Sequence, residues 1–254
     1  MSLELFQLNG KNALVTGSRR GLGAAIAVAL AKAGANVGCH GRETTRARCC
    51  EEIAAAGRKT FYFPGDLKEP KTCVSLIERA VSEFGVLDIL VNNAGGIRRA
   101  PAVEYPAEFW DETIAVHLTA TFRLSQLAGR HMLERGMGGK IVNVASLLSF
   151  QGGIFVPAYA AAKGGMAQLT KALANEWASK GINVNAIAPG YMATDATTAL
   201  RDDAVRSRQL LERIPAGRWG EPSDLAGAAV FLCSRASDYI HGHVLAVDGG
   251  WLGR

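Results

Sequence analysis

The 254-residue chain has no apolar run long enough to span a bilayer. Its opening residues, MSLELFQLNGK, lack the basic-then-apolar order of a secretory leader, so a cytoplasmic protein with no membrane partner is expected. Cysteine is scarce. Cys39, Cys49, Cys50, Cys73 and Cys233 form no C-x-x-C pair, and the only adjacent two are Cys49 and Cys50. That spacing argues against a disulfide framework and a zinc site, so no metal is expected and a reducing compartment is the simplest reading. Neither sign of charge dominates: 28 Lys+Arg against 23 Asp+Glu leave +5. The basic residues form small groups at Arg19–Arg20, Arg42/Arg46/Arg48 and Arg98–Arg99, without interleaved aromatics. Such groups argue against nucleic acid and suit a small polyanionic ligand. Repeats, low-complexity tracts and linker-like stretches are also missing.

Glycine and apolar residues are plentiful, at 29 glycines and 48% hydrophobic. Short apolar runs closed by turn residues predict strands at 11–16, 35–40, 60–63, 87–91, 140–145, 182–188 and 244–247. Helical spacing predicts helices at 21–32, 43–56, 68–84, 106–134, 157–179 and 222–233, several of them ended by glycine. Strands alternating with helices imply right-handed crossovers and a parallel sheet covered on both faces. The expected fold is therefore α/β: one domain over residues 1–254, a Rossmann-type doubly wound parallel sheet of about seven strands. The polar, Arg-rich segment 193–214 follows a Pro-Gly and reads as a mobile lid.

TGSRRGLG, residues 16–23, lies between the first strand and the first helix. Gly17 makes the turn, and Gly21 and Gly23 let backbone N–H groups approach a pyrophosphate at the helix N-terminus. The end of the second strand faces the adenosine ribose of such a ligand. An acid there accepts from a 2′-hydroxyl and repels a 2′-phosphate. This chain has Gly41 followed by Arg42, with Arg20 in the glycine turn, which favours NADP(H) while leaving NAD(H) open. Two alternatives stand beside that reading: solvated arginines, or Glu43 acting as the acid or neutralising Arg42. Asp66, in GDL, can accept from an adenine amino group or cap a helix. NNAG, residues 92–95, offers amides and a close backbone approach where ligands bind in open α/β sheets. YAAAK places Tyr159 and Lys163 four residues apart on one helical face. A neighbouring ammonium favours tyrosinate and makes Tyr159 a candidate general acid/base. Ser146 ends the fifth strand and can hold a substrate oxygen.

Together with PGYMAT, residues 189–194, these motifs resemble the short-chain dehydrogenase/reductase family over the full length. The resemblance implies that Tyr159 gives or takes the alcohol proton, Lys163 tunes it and holds the nicotinamide ribose, and Ser146 positions the carbonyl. It implies that Thr194 and the backbone of Met192 hold the carboxamide. It extends the cofactor set to Arg19, Leu22, Leu67, Asn93, Ala94, Gly95, Pro189 and Gly190. His117 stands where the family usually has Asn. Its donor and acceptor can serve the same proton route, with added pH dependence, or it can simply pack.

NNAGGIRRAP, SLLSFQGGIFVPAYAAAKGG and VDGGWL are similar to the sugar-acid branch, the 2-dehydro-3-deoxy-D-gluconate 5-dehydrogenases and gluconate 5-dehydrogenases. The implied reaction is hydride transfer between a nicotinamide cofactor and a secondary alcohol or ketone of a keto-deoxy-gluconate, gluconate or uronate. Arg98 and Arg99 follow the cofactor turn, and one of them is expected to grip the carboxylate. Gln151 offers an amide to hydroxyls. A 3-oxoacyl thioester reductase and a non-catalytic dinucleotide-binding regulator are the alternatives. The family resemblance implies a homotetramer.

Overall fold

The computed structural model describes residues 3–254, so the first two residues of the expected 1–254 domain lie outside it. Seven strands form one sheet: β1 (Asn12–Val15), β2 (Asn36–Gly41), β3 (Thr60–Pro64), β4 (Ile89–Asn92), β5 (Gly139–Val144), β6 (Ile182–Pro189) and β7 (Val244–Val247). Their order is β3-β2-β1-β4-β5-β6-β7. Every pairing is parallel. The chain leaves β1 toward β2 on one side and returns to β4 on the other, which opens a crevice at the strands' carboxyl ends.

The helices are α1 (Gly21–Lys32), α2 (Cys49–Ala55), α3 (Pro70–Phe84), α4 (Ala107–Ile114), α5 (Ala120–Arg135), α6 (Pro157–Trp177), α7 (Thr198–Asp202), α8 (Ala204–Arg213) and α9 (Ala226–Cys233). Strand residues alternate between two cores. Ala13, Val15, Val37, Val91 and Val142 face α1, α2 and α9, packing with Ile26, Leu30, Ile53 and Leu232. Leu14, Leu90, Ile141 and Val184 face the other way, against Leu76, Leu124, Met132 and Trp177 of α3, α5 and α6. Each fully buried aliphatic side chain stabilises the fold by roughly 1.5–3 kcal/mol. With both faces covered, the strands read as continuous apolar runs.

Two expectations are corrected. The helix expected at 43–56 begins only at Cys49, and an irregular segment covers 42–48. Thr44 and Thr45, β-branched and exposed, give that segment little helical preference. The long helix expected at 106–134 is interrupted by a π-helical turn, Ala115–Thr119. The segment 193–214, expected as a lid, carries α7 and α8, and Asp203 caps α8 by accepting from Val205 and Arg206 N–H. Leu210 and Ile214 then anchor it in a small core with Leu147 and Trp251.

Candidate active site

The glycine turn is held from below by the NNAG segment. Asn93 Nδ2 donates to the carbonyls of Thr16 and Gly17 at 2.9 and 3.0 Å. Thr16 Oγ1 accepts from the N–H groups of Asn93 and Ala94. A Cβ on Gly23 would lie 2.3 Å from Asn93 Nδ2 and 2.4 Å from Gly17 O, so only glycine fits there. Asn93 and Ala94 thus shape the cradle. His40, a residue the sequence reading passed over, completes it. Its Nδ1 accepts from Gly17 N–H at 3.3 Å, and its Nε2 lies 3.0 Å from Gly65 O. Burial pushes the imidazole down to about 4, with a partial offset from the Gly65 hydrogen bond. Neutral His40 therefore ties the turn to the ends of β2 and β3.

Beside it, Gly41 leaves room for nothing larger: a Cβ would lie 2.6 Å from Tyr62 Oη and 3.2 Å from Arg19 Cβ. Arg19 is therefore the arginine of the turn that flanks Gly41. Its guanidinium meets Glu43 at 2.7 Å, while its Nε is buried without a partner. Arg20 points elsewhere and pairs with Asp195 at 3.0 Å. Arg42 is largely exposed and comes no closer than 4.0 Å to Glu112. Glu43 thus engages Arg19 and not Arg42, and Arg20 reaches Asp195 in an exposed pair. Asp66 accepts from Lys68 N–H at 3.0 Å, a local turn contact, and Leu67 is buried beneath it. Glu69, rather than Asp66, occupies the N-cap position of α3.

Across the crevice, α6 carries Tyr159 and Lys163. Ser146 lies two residues past β5 in extended backbone, and its Oγ accepts from Leu148 N–H at 3.2 Å. Burial raises the Tyr159 phenol, and a hydrogen bond from Ser146 and the charge of Arg99 pull it back. Lys163, 3% exposed, donates to Val144 O and stands over the Tyr159 ring, 5.5 Å from its centroid. Burial lowers the ammonium to about 7. The sequence reading had Lys163 lowering Tyr159. Here Lys163 faces the ring and a carbonyl, and the groups that favour tyrosinate are Ser146 and Arg99.

The π turn puts His117 against this pair. Its ring is edge-on to Tyr159, with centroids 5.1 Å apart. Its Nε2 bridges Gly96 O at 2.8 Å and Gly96 N at 3.2 Å, and its Nδ1 is buried without a partner. Burial, reinforced by Lys163, pushes it down to about 3. The expected titration of His117 near neutrality is thereby corrected: this imidazole stays neutral. Single wide turns of this kind recur at functional sites.

At the mouth, Arg98 is committed. It forks onto Glu112 Oε2 at 3.0 and 3.1 Å and lies over Phe109. Arg99 has no such partner and is the charge felt by Tyr159. Gln151 Oε1 accepts from Trp251 Nε1 at 3.3 Å, and Phe155 nearby has φ 65. Thr194 and Met192 are bound into the start of the 193–214 segment, Thr197 Oγ1 donating to Met192 O at 2.6 Å. Pro189 ends β6, and Gly190 abuts Asp248, with no room for a Cβ. Gly21 and Leu22 open α1, and Thr194 is the side chain nearest Gly21. Gly95 packs flat on His117.

A switch-point crevice with a phosphate cradle on one wall and a tyrosine–lysine helix on the other defines the Rossmann-type oxidoreductases. The family model described as enoyl-(acyl carrier protein) reductase matches residues 17–252. The chain belongs to the short-chain dehydrogenase/reductase family. It is 52% identical to the 2-dehydro-3-deoxy-D-gluconate 5-dehydrogenase of Escherichia coli (strain K12) over 255 residues, covering all of both chains. Among solved structures it resembles a gluconate 5-dehydrogenase from Burkholderia cenocepacia in complex with NADP and tartrate. That match has TM-score 0.95, 40% identity and full coverage of both chains. It also resembles a protein from Agrobacterium tumefaciens described as a 2-deoxy-D-gluconate 3-dehydrogenase with bound NADP. There the TM-score is 0.92, the identity 54%, and the coverage 98% of this chain and 99% of the other.

Proposed function

We propose that this protein is an NADP(H)-dependent oxidoreductase acting on a secondary alcohol or ketone of a sugar acid. The keto-deoxy-gluconate, gluconate and uronate types are the substrate class. One observation carries the reading: Arg98 is bound to Glu112, while Arg99 has no hydrogen-bond or ion-pair partner among the described residues and its charge favours the tyrosinate of Tyr159. That leaves a guanidinium at the mouth of the site for a substrate carboxylate. The relatives' names point to the same substrate class.

The residues fit the cofactor. Gly17, Gly21 and Gly23 form a cradle that a Cβ at 17 or 23 would block, and the buried, unpartnered Arg19 Nε faces the Gly41 corner. Arg19 and Arg42 would hold the 2′-phosphate. Asp66 and Leu67 would line the adenine. Pro189, Gly190, Met192 and Thr194 would face the nicotinamide. When bound, the dinucleotide supplies or accepts the hydride. Tyr159, protonated at neutral pH because burial raises it, gives its proton to the carbonyl oxygen during reduction. Ser146 holds that oxygen. Lys163 and His117 fix the phenol ring from two sides. Gln151 reaches the hydroxyls. Residues 193–214 act as a lid.

The exposed Trp110 and Phe122 on α4 and α5, and the open edge of β7, support a homotetramer. Five buried free cysteines support a reducing cytoplasm. Among the described residues no helix is long and apolar enough to cross a membrane.

The test is initial rates with NADPH and NADH over a panel of keto sugar acids, with a 3-oxoacyl thioester as the contrast for the alternative reading. NADPH with a sugar acid should win. Tyr159→Phe should cost roughly 10²–10⁴ in kcat. Arg99→Ala should raise KM for the acid about ten-fold or more while leaving NADPH affinity unchanged. Equal or faster turnover with NADH, or full activity of the phenylalanine variant, would overturn the assignment.

A further inference from the structure

Cys39 lies near the end of β2, and Cys49 and Cys50 open α2. Ten residues separate the first from the second, yet the fold brings all three thiols together. Their sulfurs lie within 4.8 Å of one another, and Cys39 Sγ is 3.6 Å from Cys49 Sγ. All three residues are at most 3% exposed. The covering segment, residues 42–46, is exposed and has no helix or strand. Cys49 Sγ donates to Ser18 O, inside the glycine turn, at 3.0 Å.

An ion bound tetrahedrally to thiolates at about 2.3 Å separates its sulfurs by about 3.8 Å. The Cys39–Cys49 separation of 3.6 Å is close to that value, and no pair of the three exceeds 4.8 Å. A fourth oxygen is at hand on either side. Ser18 O already meets Cys49, and Thr60 Oγ1 is buried without a hydrogen-bond partner on β3. Carboxylates and imidazoles are absent from the group, so it selects soft, thiophilic ions over hard ones.

We infer that Cys39, Cys49 and Cys50 form a three-thiolate site for a soft d¹⁰ cation, and that its loading opposes dinucleotide binding through Ser18. A divalent ion forms three metal–sulfur bonds and releases three protons, leaving one net negative charge beside Arg46. Cys49 then has no S–H to give Ser18 O. Ser18 is part of the lattice that shapes the turn, since its N–H donates to His40 O and its Oγ accepts from His40 N–H. By linkage, the ion and the dinucleotide weaken each other by the same factor. The linkage rests on the proposed cofactor reading, whereas the ion site does not.

The probe is Cd²⁺, titrated into the reduced full-length protein and followed by its thiolate charge-transfer absorbance. One Cd²⁺ per chain is expected, with the intensity of three thiolates. Cys50→Ser and Cys49→Ala should each lose about a third of the band or more, with tightness falling at least ten-fold. Cys73→Ser and Cys233→Ser should leave it unchanged. Circular dichroism confirms that each variant is folded. Cys50→Ser and Cys49→Ala give two independent readings should either destabilise the chain. Absence of a stoichiometric band, or a full band in folded Cys50→Ser, overturns the site. NADPH affinity, read by fluorescence, should fall at least three-fold in the Cd²⁺-loaded protein. Unchanged affinity with a full band overturns the linkage.

Discussion

At the scale of single residues, the site depends on keeping titratable groups neutral. His40 accepts from Gly17 N–H with one nitrogen, which a protonated ring cannot do. Its folded-state pKa is about 4, below the ordinary 6.5. A depressed value means the stabilisation is complete above about 6.5 and is lost as pH falls toward 4. The loss from His40 alone should reach about 2 kcal/mol by pH 5. Urea melts at pH 7 and pH 5 check this: His40→Asn should flatten the difference. An unchanged slope would place the acid sensitivity at His117, whose ring is displaced in the same direction. Arg99 acts on Tyr159 by charge, in the opposite sense to burial, so the two arginines of the IRR run have different tasks. The sequence showed two adjacent guanidiniums near a site. Which one is free follows from Glu112, fourteen residues downstream on α4, and no local pattern carries that information.

At the scale of elements, the π turn couples the helix of His117 to the turn after β4. A Cβ added to Gly95 would lie 1.9 Å from His117 Cε1, and Gly95 has φ +159. Gly95→Ala should therefore cost about 1–3 kcal/mol through overpacking. Gly95→Ala combined with His117→Ala should recover part of that loss, because the clashing ring is gone. A double-mutant cycle on melting temperature or urea midpoint reads the coupling, and strict additivity would separate the two elements. Most strands and helices were legible because apolar runs end at glycines and buried parallel strands need no alternation. α1 and β7 match their expected bounds residue for residue. The π turn was hidden because residues 106–134 keep helical spacing throughout, and the turn's His117 finds its partner, Gly96, only across the fold. The late start of α2 was hidden because Arg and Ala around the two threonines read as helix. The cysteine cluster could not be seen either, since its members meet only when β2 and α2 are folded together.

At the scale of the whole molecule, the two ends of the chain close one site. The cradle forms within the first hundred residues, the far wall comes from Ser146 and α6, and the last sixty residues pack beside that wall through Leu147. Trp251, 3% exposed, packs with Leu147 beside Ser146 and with Leu210 and Ile214 of the 193–214 segment. Tyr191 leans on it at a tilt, 4.7 Å between centroids, Arg213 covers it at 4.0 Å, and its Nε1 donates to Gln151. One side chain near the C-terminus thus joins the 193–214 segment, the serine loop and Gln151. Trp251→Ala should destabilise the protein by about 3–5 kcal/mol, as for other large buried aromatics. The kinetic signature should be more specific. Freed from its anchor, the lid closes less well, so KM for the sugar acid should rise several-fold more than KM for NADPH, whose phosphate cradle lies on α1. Trp251→Phe keeps the ring packing and loses the bond to Gln151. It should recover most of the stability, with any remaining KM defect assigned to Gln151. Equal effects of Trp251→Ala on both KM values would show that the aromatic anchor supports the fold as a whole and has no particular hold on the lid.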